Sequence, residues 1–383
     1  MAAWPPRADP RLGEDAVRAA LLVGFKEPFV VEDVAYLDPA PGRVIVRTGA
    51  APFCSTDVVN WRGELGKIPP TILGHAAMGE VVEVGAHVGE LRVGQRVIVP
   101  GTSECGVCFY CAIGRPDQCS ETFDRGGIWP HVANRSDGAP ISAAGNVGGY
   151  SELMNVTAHQ VFAVESDLPD EWLSLLGCGI TTGLGAIFNV ARVQAGSSVA
   201  VIGLGHLGQW MIQAARVASA RTIIAVDPIA WRRELAGTLG ATDLVDPADG
   251  DPVAQVRALT GGRGADYVLE AATVASAQTQ AILSSRRAGT VVLTSVERAD
   301  ATVTVPQVAI AVQSRAILSA QNGNCRMRHD LPRFIAMMED GLVSAEPIIT
   351  RRYGLDEINE ALAASAEKRD LSGVIVPNAA RPL

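Results

Sequence analysis

Four cysteines stand close together in the sequence, in the pattern Cys105-x2-Cys108-x2-Cys111-x7-Cys119. Four thiolates in one loop satisfy a tetrahedral Zn²⁺ and leave no position open for a substrate, so they predict a structural zinc site. An iron–sulfur cluster is the main alternative, but that pattern continues with x3-Cys-Pro, which does not follow here. Disulfides are the other alternative.

Cys54, His75 and Cys178 form a second candidate metal site. Two thiolates and one imidazole hold Zn²⁺ with a fourth position open to water or substrate, which is the arrangement of catalytic zinc. Each of these residues alone is more often a buried small side chain or a satisfied histidine, so only the set of three carries the prediction. We interpret the remaining cysteine, Cys325, as structural.

A glycine-rich turn follows the apolar run Ser198–Ile202 and precedes a segment with helical spacing of apolar residues. A strand, a glycine turn and a helix in this order bind the pyrophosphate of a dinucleotide at the positive end of the helix. Asp227 ends the next apolar run, where a carboxylate accepts both ribose hydroxyls. The pattern predicts dinucleotide binding, with an accidental turn as the alternative. The turn consists of Gly203, Leu204, Gly205, His206, Leu207 and Gly208.

The elements that must position these residues are of two kinds. Residues 17–160 contain short Val-rich runs separated by Pro and Gly, which predict an irregular β domain with a loop lobe at 101–120. From about residue 190, six predicted strands alternate with helices, which is typical of a doubly wound parallel sheet. The predicted strands are 198–202, 222–226, 243–245, 265–270, 290–294 and 316–320. We therefore predict an α/β protein with a catalytic zinc-binding domain over 1–188, a Rossmann domain over 189–325 and a return to the catalytic domain over 326–383.

Composition and charge exclude several kinds of partner. The chain has 383 residues and 48% hydrophobic content, enough for two domains that each have a core. A net charge of −9 argues against nucleic acid or an anionic membrane as the main partner. No apolar run approaches the length of a membrane span, and the amino terminus lacks the continuous apolar segment of a signal peptide. We expect a cytoplasmic protein, in which cysteines are metal ligands more often than disulfide partners.

The order of these motifs resembles the zinc-dependent alcohol dehydrogenases of the medium-chain dehydrogenase/reductase superfamily. The resemblance covers residues 17–377 and implies a GroES-like catalytic domain beside the Rossmann domain. The motifs that carry it are Cys-x-Thr-Asp at 54–57, Gly-His at 74–75 leading into Gly79–Gly85, the four-cysteine loop, Gly177-Cys178-Gly179 and Gly203-x-Gly205-x-x-Gly208.

The resemblance implies roles at the candidate metal site. Cys54, His75 and Cys178 resemble the catalytic zinc ligands. Thr56 resembles the hydroxyl that takes the substrate proton, and Asp57 resembles the carboxylate that orients the ligand histidine.

The resemblance also implies contacts with the cofactor. Thr182 resembles a residue beside the nicotinamide, and Asp227 with Arg232 resembles the pair at the adenosine ribose. Ser55 stands where relatives often carry a cationic contact to the pyrophosphate. His206 is expected close to the same group because it lies inside the glycine turn.

The chain departs from the family pattern at several positions. Ala76 replaces a usual glutamate after the ligand histidine, and Val59 replaces a histidine that passes the proton to solvent. Gly101 replaces an aromatic residue of the substrate pocket, which predicts room for bulky alcohols unless a neighbouring aromatic refills the space. Trp61 and Gly101 are the predicted pocket residues.

The function implied by the resemblance is oxidation of a primary or secondary, bulky alcohol by NAD, with two zinc ions per chain. Zinc lowers the pKa of the alcohol, Thr56 takes its proton, and hydride passes to the nicotinamide. Alternatives are a dehydrogenase of thiol adducts of formaldehyde, a biosynthetic ketone reductase, and a non-catalytic NAD-binding protein. The expected partner is a small molecule, and the expected assembly is a homodimer, with a homotetramer as the alternative.

Overall fold

The computed structural model describes residues 17–66, 68–124, 129–298 and 300–378. The chain forms two compact units. Unit 1 runs to Cys178 and resumes at Ile349, and unit 2 is Gly179–Ile348. The predicted class, a GroES-like catalytic domain plus a Rossmann domain, is confirmed.

Unit 1 is built mainly from strands. One set closes into a barrel in the order β1-β2-β7-β8-β4, and a second sheet has the order β10-β6-β5-β3-β18-β17, with β9 also paired to β3. Its strands are β1 (Val17–Leu22), β2 (Val30–Tyr36), β3 (Arg43–Phe53), β4 (Thr71–Ile72), β5 (Ala77–Val84), β6 (Arg96–Val99), β7 (His131–Asn134), β8 (Pro140–Ala143), β9 (Leu153–Thr157), β10 (Phe162–Ala163), β17 (Ile349–Tyr353) and β18 (Ser372–Ile375). Its α-helices are α1 (Ser55–Trp61), α2 (Phe109–Ala112), α3 (Ser120–Phe123), α4 (Asp170–Ser174) and α12 (Ile358–Ala366).

Two neighbouring strands of unit 1 bring the first candidate ligands together. β3 ends at Phe53, directly before Cys54, and β5 begins two residues after His75. The strands are antiparallel, with Ala50 opposite Met78, so the end of one meets the start of the other at one edge of the sheet. The pairing therefore brings Cys54 and His75 to the same place although they lie on different loops.

Unit 2 contains a six-stranded parallel sheet in the order β13-β12-β11-β14-β15-β16. This is the Rossmann order 3-2-1-4-5-6, and the strands at the centre of the sheet are largely buried apolar runs. Its strands are β11 (Ser198–Ile202), β12 (Thr222–Val226), β13 (Asp243–Val245), β14 (Ala265–Glu270), β15 (Ser285–Leu293) and β16 (Ala316–Ser319). Its helices are α5 (Gly179–Gly185), a π-helix (Ala186–Ala191), α6 (His206–Val217), α7 (Ala230–Leu239), α8 (Pro252–Leu259), α9 (Ala275–Ser284), α10 (Gln307–Ala311) and α11 (Met327–Glu339).

The unit boundaries differ from the predicted boundaries at 188/189 and 325/326. Residues 179–188 belong to unit 2 because α5 packs closely on α6, where a Cβ added at Gly183 would lie 2.5 Å from Cβ of Trp210. Residues 326–348 belong to unit 2 because Asn189 donates to Asp330 and Gln213 donates to the carbonyl of Ser344. The return of the chain to unit 1 therefore begins later, at Ile349.

The described helices are short compared with a membrane span. None of them is by itself long and apolar enough to cross a membrane, although the consecutive segments Asp170–Gly177 and Gly179–Ala191 pass the same criteria when taken together.

Candidate functional site

The structure brings together Cys54, His75 and Cys178, as the sequence predicts. Their ligand atoms all lie within 4.8 Å of one another, and His75 Nε2 is 3.3 Å from Cys178 Sγ. Ligands on one tetrahedral zinc ion stand about 3.5–3.8 Å apart. Cys178 reaches the group because the preceding residue, Gly177, packs against Ala76: a Cβ on Gly177 would lie 2.8 Å from the methyl carbon of Ala76.

Asp57 supports this group from behind. Its side chain is 1% exposed, and its Oδ1 lies 3.3 Å from His75 Nδ1. It also accepts hydrogen bonds from the backbone N–H groups of Cys54 and Gly74, at 3.2 and 3.3 Å, and from the hydroxyl of Tyr150 at 2.8 Å. A carboxylate on Nδ1 fixes the ring so that Nε2 faces the other ligands.

Hydrogen bonds and charges link the three candidate ligands, so each side chain shifts the pKa of its neighbours. The thiol of Cys178 hydrogen bonds to Cys54 and lowers the pKa of Cys54 well below its usual value, against the effect of burial. The same bond and burial raise the pKa of Cys178. Burial opposes a charge on His75, but Asp57 and Cys178 together raise the pKa of His75 well above its usual value. A cation that binds here displaces protons from these ligands.

The donor set fits a zinc ion with one open position. Two sulfurs and one imidazole nitrogen form the group, and in the described residues no carboxylate joins it. Thr56 lies beside it, with Oγ1 3.6 Å from Cys54 Sγ. Ala76, where the family pattern has a carboxylate, is 1% exposed and is used for packing.

The four cysteines of the loop lobe form a separate closed group. Cys105 and Cys111 have sulfurs 3.9 Å apart, and those of Cys108 and Cys119 are 4.0 Å apart. These separations fit a zinc ion bound by four thiolates, whose sulfurs stand about 3.8 Å apart. No position remains for a substrate, which agrees with a structural role.

Local hydrogen bonds prepare this lobe for a cation. The backbone N–H of Cys111 donates to Cys108 Sγ and lowers the pKa of Cys108 to about 6. Arg115 makes a bidentate ion pair with Asp117, whose carboxylate is fully buried, at 2.8 and 2.7 Å. Because two parallel N–H bonds fix both groups, the chain between Cys111 and Cys119 is held in shape.

In unit 2, the three glycines of the turn have different surroundings. A Cβ at Gly203 would lie 2.7 Å from backbone atoms of Ala271 and Ala272, and a Cβ at Gly208 would lie 2.0 Å from the carbonyl oxygen of Gly203. At Gly205 the nearest atom is Nη1 of Arg232, 4.0 Å away. The first and third glycines therefore allow close packing, and the second leaves its backbone open to a ligand such as a pyrophosphate.

Asp227 ends β12 and lies directly beside the turn. Its Oδ2 accepts from the N–H of Leu204 at 2.7 Å, and its Oδ1 accepts from the N–H of Ile229 at 2.8 Å. Arg233 is held by Asp246 in an ion pair of 2.6 Å. Arg232 is 9% exposed, and burial lowers the pKa of its guanidinium.

His206 and Thr182 lie in unit 2 near the turn. His206 is the first residue of α6, and a Cβ built on Gly179 would lie 1.6 Å from its Nε2. Gly179 must therefore be a glycine for this imidazole to fit, a packing relation that no local sequence pattern indicates. Thr182 is half-buried on α5, and Leu207 follows His206 in the first turn of α6.

The structure corrects the interpretation of Gly101 as a missing aromatic wall. A Cβ at Gly101 would lie 2.6 Å from the carbonyl oxygen of His75 and 3.4 Å from Cδ2 of its ring. The space beside Gly101 is thus filled by the backbone of His75, a candidate metal ligand, so the glycine is required by close approach. Trp61, the other predicted pocket residue, is half-buried against the barrel core and donates a hydrogen bond to the carbonyl of Glu27. Phe123, an aromatic residue on α3, is 47% exposed.

The chain is similar to known proteins in both sequence and structure. Residues 40–166 match the alcohol dehydrogenase GroES-like domain, and residues 207–340 match the zinc-binding dehydrogenase family. An NDMA-dependent alcohol dehydrogenase of Amycolatopsis methanolica is 31% identical over 369 residues, covering 94% of this chain and 99% of the relative. An S-(hydroxymethyl)glutathione dehydrogenase of Haemophilus influenzae is 32% identical over 365 residues, covering 94% and 96%. The crystal structure of benzyl alcohol dehydrogenase from Acinetobacter calcoaceticus matches with a TM-score of 0.88 at 27% identity, covering 94% and 99%.

We expect each chain to bind two zinc ions, one at the four-cysteine group and one at the group of Cys54, His75 and Cys178. Cys108→Ser should remove the closed site and lower the Tm, because binding of a structural zinc contributes to folding free energy. The matched change Cys178→Ser should remove the open site with a smaller effect on the Tm. Elemental analysis measures the zinc content of each variant, and thermal unfolding measures its Tm. One metal or none per chain, or iron in place of zinc, would contradict this assignment.

Two alanine substitutions in the turn should separate packing from ligand binding. Gly208→Ala forces a methyl group against a backbone carbonyl, and overpacking of this kind costs about 1–3 kcal/mol, so the Tm should fall by several degrees. Gly205→Ala meets little and should leave the Tm unchanged while it weakens NADH binding, measured by fluorescence titration. A Gly205→Ala protein that binds NADH normally would show that this glycine does not face the cofactor.

Proposed function

Because the chain belongs to the zinc-dependent alcohol dehydrogenases of the medium-chain dehydrogenase/reductase superfamily, we propose that it oxidises a bulky primary or secondary alcohol with NAD, giving an aldehyde or ketone. The observation that carries this proposal is the group of Cys54, His75 and Cys178. Its three ligand atoms lie within 4.8 Å of one another, and in the described residues no fourth protein ligand closes the group.

The residues at this site have different proposed roles in the reaction. Cys54, His75 and Cys178 hold zinc, which when bound supplies a Lewis acid that lowers the pKa of an alcohol. Asp57 keeps the His75 ring oriented through Nδ1. Thr56, next to Cys54, would take the alcohol proton on its hydroxyl oxygen and release its own hydroxyl proton towards solvent. Thr182 and Ser55 are proposed contacts of the cofactor.

Asp227 favours NAD over NADP. A carboxylate at the end of β12 repels the extra 2′-phosphate of NADP, and it is fixed there by the N–H groups of Leu204 and Ile229. Of the two nearby cations, Arg233 is already paired with Asp246. Arg232, whose Nη1 lies 4.0 Å from the Cβ position of Gly205, is the proposed contact for the adenosine ribose.

An aromatic or branched alcohol is the proposed substrate class. The support is the similarity to benzyl alcohol dehydrogenase along nearly the whole of both chains. A second candidate is the thiol adduct of formaldehyde, which is favoured by the similarity to S-(hydroxymethyl)glutathione dehydrogenase. The two candidates differ in charge and size, so one substrate panel separates them.

We also propose a cytoplasmic homodimer. No disulfide joins any of the seven cysteines, all of which lie in the described residues, as expected in a reducing compartment. In unit 2, β16 is an edge strand of the sheet, with Leu318 39% exposed. Val308, Ile310 and Val312 just before it are 49%, 42% and 73% exposed. An apolar edge of this kind is a template for pairing with a second copy.

The proposed activity is tested with zinc-loaded protein, NAD or NADP, and a panel of alcohols, by following NADH absorbance. The panel contains ethanol, benzyl alcohol, a cyclic secondary alcohol, and formaldehyde with glutathione. We expect kcat/KM for benzyl alcohol to exceed that for ethanol by at least about tenfold. NAD should exceed NADP by a similar factor, and Asp227→Asn should narrow that difference.

Other outcomes of the panel identify the alternatives. Preference for the formaldehyde adduct would select the second candidate, and equal or better kcat/KM with NADP would refute the cofactor assignment. NADH binding without turnover of any alcohol would indicate a non-catalytic protein.

The assembly is tested by light scattering of the wild type and of Leu318→Lys. We expect a mass of twice the 40.1 kDa chain for the wild type and a shift towards the monomer for the variant, because a buried lysine on the paired edge is costly. Val93→Lys, at an exposed position of unit 1, is the control and should not change the mass. A wild-type mass of four chains would establish the tetramer instead.

A further inference from the structure

Tyr150 lies between β8 and β9 and is fully buried in unit 1. Its ring stacks on Phe53 with centroids 5.2 Å apart and meets Phe29 edge-on at 6.5 Å. Its N–H donates to the carbonyl of Leu73, and its own carbonyl accepts from Ala20. The ring is therefore held on its faces and by its backbone, and its hydroxyl has a defined direction.

That hydroxyl points to the carboxylate behind the metal ligands. It donates to Asp57 Oδ2 at 2.8 Å, while Asp57 Oδ1 is the atom near His75 Nδ1. Burial and the neighbouring carboxylate raise the pKa of Tyr150 well above its usual value, so the phenol stays protonated and acts as a donor. The carboxylate is thus bonded to the phenol on one oxygen and to the imidazole on the other.

Tyr150 also contacts the backbone on the other side of the histidine. A Cβ at Gly74 would lie 2.8 Å from Cδ1 of the Tyr150 ring, and Gly74 has a φ of +84°. The N–H of Gly149 donates to the carbonyl of Gly74 at 2.8 Å. The residue before His75 is therefore packed against Tyr150 and its neighbour.

We propose that Tyr150 is a positioning residue for the metal ligand His75: its hydroxyl holds Asp57 in the orientation that receives Nδ1–H, so that Nε2 faces the cation. This inference rests on the proposed function, because it takes the Cys54, His75 and Cys178 group to be the open zinc site. Outer partners of a ligand histidine typically change metal affinity by about 10- to 100-fold when they are removed.

A purely structural role for the phenol is the competing explanation, and Tyr36 provides the control. Its hydroxyl donates to Ser151 Oγ at 3.0 Å, and burial likewise raises the pKa of Tyr36. It belongs to the same barrel, but its hydrogen bond goes to Ser151 and not to Asp57. Loss of the hydroxyl at Tyr36 therefore measures the general effect of removing a partly buried phenol hydrogen bond from this unit.

The experiment compares zinc-loaded wild type, Tyr150→Phe and Tyr36→Phe at full length. Each change removes one oxygen and keeps the ring. Zinc affinity of the two sites is measured by competition with a coloured chelator, and ligand geometry by the visible spectrum after Co²⁺ replaces zinc. We expect Tyr150→Phe to weaken the open site by about 10- to 100-fold and to change its Co²⁺ spectrum. Tyr36→Phe should leave the zinc affinity and the Co²⁺ spectrum of the open site unchanged. Neither substitution should affect the four-cysteine site.

An Asp57→Asn background tests the route of the effect. If Tyr150 acts through Asp57, Tyr150→Phe should have little further effect on zinc affinity once Asp57 is replaced, because the two changes break the same chain of contacts. Full additivity of the two losses would overturn the inference.

The remaining outcomes separate this inference from the proposed function. A wild type that holds zinc at both sites and oxidises alcohols, with Tyr150→Phe equal to Tyr36→Phe in affinity and spectrum, overturns the inference alone. Loss of zinc from both sites in Tyr150→Phe also overturns it, since the effect is then on folding. A wild type without zinc at the three-ligand group overturns the proposed function and the inference together.

Discussion

The burial of the Asp57 carboxylate is the constraint around which the candidate metal site is arranged. A charged group that is 1% exposed is very costly unless donors surround it. Those donors come from the start of α1, the loop before β5 and the segment between β8 and β9, through Cys54, Gly74, His75 and Tyr150. Satisfying one anion therefore draws three distant segments together, and two of the metal ligands lie on those segments.

The two metal groups differ in how much of the fold they require. The four cysteines lie within one short loop, so closing the chain around a cation costs little entropy. Cys54, His75 and Cys178 are far apart in sequence, and they meet only because β3 pairs with β5 and Gly177 packs on Ala76. The closed group can thus stabilise its own lobe, whereas the open group depends on a sheet that is already formed. This difference suits one group to structure and the other to chemistry.

Much of the fold was predictable from local pattern. Strands β11 to β14 fall at the predicted residues, because apolar runs bounded by glycine and alternating with helices have few other interpretations. Both cysteine groups were predictable because soft ligands at these positions have little other use together. β15 extends further back than predicted, to Ser285, where arginines interrupt the apolar pattern.

The residues that escaped prediction act through contacts between segments. The sequence predicts empty space beside Gly101, whereas the structure places the carbonyl oxygen of His75 there. The imidazole of His206 occupies the side-chain position of Gly179, and Tyr150 contacts Asp57 from 93 residues away in the sequence. The sequence around each of these residues contains no pattern that predicts these close contacts. The unit boundaries escaped for the same reason, since they depend on which helices pack together.

The pairing of β18 with β3 has a consequence for the order in which the protein is made. Ile375 lies opposite Ala51 and Gly373 lies opposite Phe53, so the strand that leads into Cys54 is paired by residues from the far end of the chain. Unit 2 is continuous in sequence and lies between the two parts of unit 1. During synthesis the ribosome therefore delivers all of unit 2 before it delivers β18. The sheet beside Cys54 cannot complete its pairing until that strand has been made.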